Sequence, residues 1–99
     1  MLQVRRVYTP RPGDGGKLLK VLKQVQAATE AAGFPPLALL RRALGPHGTL
    51  VTVQRWPSLG VYDESRERVR QTVSITQLFQ QVYPLLAVTH ETELYEEVE

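Results

Sequence analysis

The stretch LALLRRALGPHGTLVTVQRW, residues 37–56, decides the fold. By propensity its first half could be helical, since leucine, alanine and arginine are good helix formers. Three features make it a strand instead. The segment 37–44 is short, Pro35 and Pro36 precede it, and the GPHG turn joins it to TLVTVQRW (49–56), where β-branched residues alternate with polar ones. Two such runs around a glycine-bounded turn form a hairpin. The exposed tip is the place for His47, which is read as a turn residue.

Working upstream, GFPP carries both glycine and proline stop signals for a preceding helix. That helix is expected over residues 17–32, with Asp14 or Gly15 as its cap. Leu18, Val21, Leu22, Val25, Ala28 and Ala32 form one apolar stripe. Before it lies the loop PRPGDGG, and before that LQVRRVYT (2–9), a run of β-formers read as the first strand. The strand, glycine-rich turn and lysine-led helix have the outline of a phosphate loop, but the fingerprints fail. A P-loop ending at Gly16-Lys17 needs glycine at position 11 and serine or threonine at 18, where this chain has Arg11 and Leu18. The dinucleotide pattern starting at Gly13 fails at Leu18 too. The glycines are therefore read as shaping a turn.

Downstream, PSLGVYDESRERVRQT (57–72) begins with Pro-Ser and continues as a charged helix to about Thr72. Its DESRERVR portion is read as a solvated face with near-neighbour ion pairs. A second helical piece is expected from Ser74, with Ser74 and Gln77 as a capping box and Leu78, Phe79 and Val82 as its apolar side. Pro84 lies near its end, and LAVTHETELYEEV (86–98) is read as the last strand. The order is β-α-β-β-α-β. With right-handed crossovers this gives a ferredoxin-like α+β fold, an antiparallel sheet with its helices on one face, as a single domain over residues 1–99.

Charge is uneven along the chain. All 12 basic residues fall within residues 1–70, and the remaining segment carries only acids. In this topology the first and last strands are neighbours, so Arg5 and Arg6 come beside Glu91 and Glu93. Much of the asymmetry is thus absorbed by the fold. No nucleic-acid partner is expected, because aromatics and basics are not interleaved on one strand and no reading motif is present.

The second face of the sheet is the unsolved part of this arrangement. It is expected to carry either Leu2, Val4, Val51 and Val53, or Val7, Leu50, Trp56 and Val88, depending on register. Neither set suits water, so the expected partner is a second copy of the chain, packed sheet against sheet.

The chain has no cysteine, which excludes disulfides and thiolate chemistry. It also has no asparagine, one methionine and an excess of arginine over lysine, a profile of thermophiles and equally of GC-rich genomes. No apolar run reaches the roughly 18 residues of a membrane span. The N-terminus lacks a signal-peptide core, so no membrane partner and a cytoplasmic location are expected.

RRVYTPRPGDGGKLLKVL resembles the opening of NIPSNAP-type domains, where an R-x-Y-T-x-R-P-G strand leads into the first helix; Tyr8, Thr9, Arg11, Pro12 and Gly13 match it. VTVQRWPSLGVYDESRERVR is similar to that family's L-W-R-Y-D-S-L segment through Arg55, Ser58 and Leu59, with Trp56 in place of a tyrosine. QVYPLLAVTHETEL is similar to its closing V-x-P-L-L…E-T-x-L through Pro84, Leu85, Leu86, Glu91 and Thr92. The family's tryptophan before the arginine falls on Gln54 here. The resemblance implies a dimeric α/β barrel, a superfamily that also holds cofactor-free monooxygenases, isomerases, haem enzymes and amino-acid-sensing domains. It implies the fold and the dimer more than any reaction.

Candidate ligand-binding residues are Arg6, Tyr8, Gln54, Trp56 and His90. Arginine within an enclosed barrel suits a carboxylate or another small anion, with inter-subunit ion pairs to Glu91 and Glu93 as the alternative. Gln54 stands among the basic groups Arg5, Arg6, Arg41, Arg42 and Arg55. Tyr8 and Trp56 are first of all core aromatics. His90 is read as mid-strand, structural or interfacial rather than a general base, and without the partners a metal site needs. No metal and no cofactor is expected, and no catalytic residue is assigned. Two functions fit: a homodimer that binds or transforms a small organic molecule in its interior, or a non-catalytic dimeric interaction module whose interior is packed.

Overall fold

The computed structural model describes residues 1–45 and 47–98. Four strands form one antiparallel sheet: β1 (Leu2–Tyr8), β2 (Leu37–Arg41), β3 (Leu50–Trp56) and β4 (Glu91–Glu96), in the spatial order β2-β3-β1-β4. Helices α1 (Gly15–Ala31), α2 (Leu59–Gln71) and α3 (Val73–Val82), with a 3-10 turn at Tyr83–Leu85, supply the second layer. This is the expected ferredoxin-like α+β fold, with β1 and β4 adjacent.

The hairpin is present, but β2 ends at Arg41 rather than at residue 44. The Arg42 N–H donates to the Thr49 carbonyl (3.0 Å), and the chain beyond it opens into a wide loop. Gly45 and Gly48 in that loop have φ of +111° and +82°, a left-handed backbone that strand residues do not adopt. Pro46, part of the expected GPHG tip, lies outside the described residues.

The first strand-to-helix turn is equally local in origin. Pro12 and Gly13 occupy the centre of a turn closed by Asp14 N–H to Arg11 C=O (2.9 Å), and Gly13 has φ +87°. Proline followed by a positive-φ glycine is the requirement of a type II turn. Asp14 stands at the N-cap of α1 through its carbonyl, which accepts from Leu18 N–H, while its side chain makes no cap hydrogen bond. The apolar stripe of α1 is largely as expected: Leu18, Val21, Leu22 and Val25 are buried. Thr29, rather than Ala28 or Ala32, completes the buried face.

Ser58 caps α2, its hydroxyl accepting from Val61 N–H (3.2 Å). The expected Ser74–Gln77 capping box does not form. The helix begins one residue earlier, at Val73, with Thr72 as its N-cap residue. The Thr72 hydroxyl donates back to Arg68 C=O (2.8 Å), and its own carbonyl accepts from Ile75 and Thr76 N–H. One threonine thus closes α2 and opens α3, leaving no terminus for Ser74 to cap.

The register settles the two faces. Leu2 pairs with Trp56, Val4 with Gln54 and Tyr8 with Leu50, and directly paired residues share a face. The helix-bearing face therefore carries Leu2, Val4, Arg6 and Tyr8 with Leu50, Thr52, Gln54 and Trp56. Both sets expected for the second face are wrong, since each mixed residues from opposite sides. The outer face instead carries Gln3, Arg5 and Val7 beside Val51, Val53 and Arg55. Arg5 sits opposite Glu93 as expected, whereas Arg6 sits opposite Thr92 on the helix side.

The last strand starts at Glu91, five residues later than expected. Leu86 bridges to Pro10, and Ala87 N–H donates to Thr9 C=O (2.9 Å). Between the pairs Val7–Glu91 and Pro10–Leu86, Tyr8 and Thr9 on one side face residues 87–90 on the other. The surplus chain cannot stay in the ladder and bulges out. His90 is consequently not a mid-strand residue; the bulge swings its ring over Tyr8. No helix among the described residues is long and apolar enough to cross a membrane.

Candidate functional site

The apolar residues between sheet and helices form two clusters rather than one continuous core. One joins Tyr8 and Leu50 to Leu18, Leu22 and Val25 of α1 and to Val82. The other joins Leu2, Val4 and Trp56 to Phe34, Tyr62 and Ile75. A cavity of about 410 Å³ is lined by members of both. That volume falls within the roughly 300–1,000 Å³ of small-molecule sites.

Arg6, Tyr8, Gln54, Trp56 and His90 all line this cavity. The structure thus brings together every candidate residue, although by two different routes. Arg6, Tyr8, Gln54 and Trp56 alternate along β1 and β3 on the helix-bearing face, while His90 arrives from the bulge before β4.

Their chemistry differs. The Gln54 amide donates to Pro35 C=O (2.7 Å), and its oxygen accepts from the Trp56 indole N–H (3.1 Å). Both polar ends are thereby engaged in holding the chain before β2 and fixing the indole. Trp56 then presents its ring, edge-on to Tyr62 at 5.6 Å. These two residues build a wall; they hold few spare hydrogen bonds for a ligand.

Tyr8 is buried, and burial pushes its phenol up to about 12 against the opposing influence of Arg6 and the Thr52 side chain. It remains a neutral hydroxyl. His90 stacks on Tyr8 (5.2 Å) and on Tyr83 (6.1 Å). Burial holds its imidazole below the ordinary histidine range, and the Arg6 charge acts in the same direction. Its Nδ1 is buried without a hydrogen-bond partner among the described residues, so a second proton there would create an unpaired N–H.

The groups facing His90 are Tyr8 and Arg6 from β1 and Tyr83 from the 3-10 turn. Because the folded pKa lies below the unfolded one, the unfolded chain binds more protons as pH falls below 6.5. The contribution of neutral His90 is complete above that value and is lost as pH falls through the folded one. Urea denaturation between about pH 5 and 8 should therefore show a shallower acid-side loss for His90→Phe than for wild type. Superimposable pH profiles would refute the assignment.

Arg6 is the residue whose surroundings matter most. Its Nη2 donates to the Tyr62 hydroxyl (2.9 Å), and Nη1 of Arg66 donates to the same oxygen. Within the protomer the register sets Arg6 on the helix-bearing face and Glu91 and Glu93 on the outer face, so they do not pair there. Among the described residues, no Asp or Glu lines the cavity.

Tyr62 and Arg66 were not among the sequence candidates, because DESRERVR reads as a solvated face. A signal was nevertheless available. Tyr62, Ser65, Arg66 and Val69 are spaced i, i+3, i+4 and i+7, the pattern of a helix face turned inward. All four line the cavity.

No family model and no curated protein matches the chain. Solved structures do. An uncharacterised NIPSNAP domain protein from Burkholderia xenovorans superposes with a TM-score of 0.84 at 16% identity, covering 99% of this chain and 95% of that one. A NIPSNAP family protein from Agrobacterium tumefaciens gives 0.81 at 16%, covering 99% and 93%. An antibiotic biosynthesis monooxygenase gives 0.79 at 18%, with both chains covered in full. The fold is therefore the ferredoxin-like fold of NIPSNAP domains and antibiotic biosynthesis monooxygenases, as the sequence resemblance implied. At these identities the likeness carries the fold and leaves the activity to the site.

Proposed function

We propose that the chain is a homodimeric α/β-barrel protein whose cavity binds or transforms a small organic molecule, with monooxygenase-like or isomerase-like chemistry. The observation that supports this best is the cavity itself, which gathers the Arg6 and Arg66 guanidinium groups, three tyrosines and a histidine beside Trp56 and Phe34. A filled interior would have favoured the non-catalytic interaction module, and the cavity weighs against that reading. Arg6 suits the stabilisation of a ligand oxygen that carries or gains negative charge, beside a neutral His90. The antibiotic biosynthesis monooxygenase among the structural neighbours is consistent with such use of this fold.

The dimer is proposed through the outer face of the sheet, where half-buried Val7, Val51 and Val53 lie between charges of both signs. The only tryptophan, Trp56, lies in the cavity wall, so its fluorescence reports occupancy. Titration with 4-nitrobenzamide, a planar neutral quencher, should give saturable quenching of Trp56. Linear, non-saturating quenching by this probe and by its carboxylate analogue alike would refute an open binding site.

A further inference from the structure

Among the described residues, Arg6, Arg66 and Arg70 are the arginines that line the cavity. Arg70 has Glu67 at 3.6 Å. Arg6 and Arg66 have no carboxylate partner among the described residues. They come from different elements, β1 and α2, yet both donate to one neutral phenol oxygen, that of Tyr62. Each guanidinium offers five N–H donors, and each uses one here. Arg66 also lies over the Tyr62 ring, its central carbon 5.4 Å from the ring centre.

Resting on the proposed ligand-binding role of the cavity, we infer that its ligand is a small planar carboxylate, held by Arg6 and Arg66 with the Tyr62 hydroxyl between them. Two coplanar carboxylate oxygens match the fork of a guanidinium, which a single phenol oxygen does not. A planar body suits the aromatic lining: Trp56 and Tyr62 meet edge to face, and Tyr8, His90 and Tyr83, stacked on one another, line the same cavity. A neutral ligand would leave two adjacent cations uncompensated in a partly enclosed space. A carboxylate removes that repulsion and also shields His90 from Arg6.

The test compares 4-nitrobenzoate with 4-nitrobenzamide, equal in shape and different in charge. Both are followed by Trp56 quenching near neutral pH. The carboxylate should bind about ten- to hundredfold more tightly than the amide. Arg6→Met and Arg66→Met should each bring the ratio of the two affinities, measured on the same variant, toward one. Arg66→Lys, which keeps charge without the fork, should give an intermediate ratio.

A readout on wild type alone guards against variants that misfold. The NMR pKa of His90 should rise on saturation with 4-nitrobenzoate and stay where it is with 4-nitrobenzamide. Equal binding of both probes overturns the carboxylate assignment while leaving the binding cavity intact. Binding of neither overturns the cavity reading beneath it. A preference for the carboxylate that survives both methionine substitutions would place the anion elsewhere and refute the proposal.

Discussion

Trp56→Ala is expected to lower the free energy of unfolding by about 3–5 kcal/mol, the range for emptying a buried tryptophan site. The side chain is 3% exposed and belongs to the cluster of Leu2, Val4, Phe34, Tyr62 and Ile75. Its loss removes the ring that Tyr62 meets edge-on and leaves the Gln54 oxygen without its donor. Because the site already borders a cavity, neighbours cannot close the gap without moving α2 off the sheet. For a domain of this size, total stability is about 5–15 kcal/mol, so the variant should stand near the edge of folding. Trp56→Phe separates the two contributions. It keeps an aromatic ring while the buried Gln54 oxygen stays unpaired, for about 1–3 kcal/mol. With the only tryptophan removed, unfolding must be followed by far-ultraviolet circular dichroism in urea, at one fixed protomer concentration. A loss below about 1.5 kcal/mol for the alanine variant would mean the cluster collapses around the gap and Trp56 is not a wall.

How far the sequence reached can be judged from particular elements. The 37–56 hairpin and the Pro12–Gly13 turn were legible because their causes are local: flanking prolines, a glycine at positive φ, and alternation within a few residues. α1 was legible from its stripe for the same reason. What failed depended on register. Whether Val51 or Leu50 faces the helices is a one-residue question that alternation of apolar residues on both faces cannot answer. Leu50 and Val51 are both apolar, so the pattern there gives no sign. His90 failed for a different reason, since the bulge that aims it is created by pairing between residues distant in sequence, Pro10 with Leu86. Of the cavity residues, those on β1 and β3 followed from being polar or aromatic in an enclosed sheet. Tyr62 and Arg66 were hidden by the charge around them. A helix with only Tyr62 and Ser65 fully buried reads as solvated even when its inward face carries the site.

Val51→Asp is expected to convert the proposed dimer to monomer, weakening association by at least about a hundredfold. The register orders the outer face into rows. Leu40, Val51, Val7 and Glu91 form one, and Ala38, Val53, Arg5 and Glu93 form the next. Val51 lies between Leu40 and Val7, in the most apolar part of that surface, and Leu40 remains 50% exposed in the isolated protomer. Arg5 and Arg55 lie beside this patch and Glu91 and Glu93 along the β4 edge, so the face carries an apolar centre with both signs of charge around it. That is the composition that pairing of like faces about a two-fold axis calls for. An aspartate at 51 has no arginine directly across the ladder, only Val7 and Leu40, so burying it would leave a carboxylate unpaired. Val53 is the poorer choice because Arg5, directly opposite, would compensate the charge. Val73→Asp on α3, at a site 62% exposed and remote from the sheet face, is the matched control and should leave the association state unchanged. Sedimentation equilibrium on the three proteins gives the answer. Wild type sedimenting at protomer mass at micromolar concentration would dispose of the dimer, and a dimeric Val51→Asp protein would move its interface to another surface.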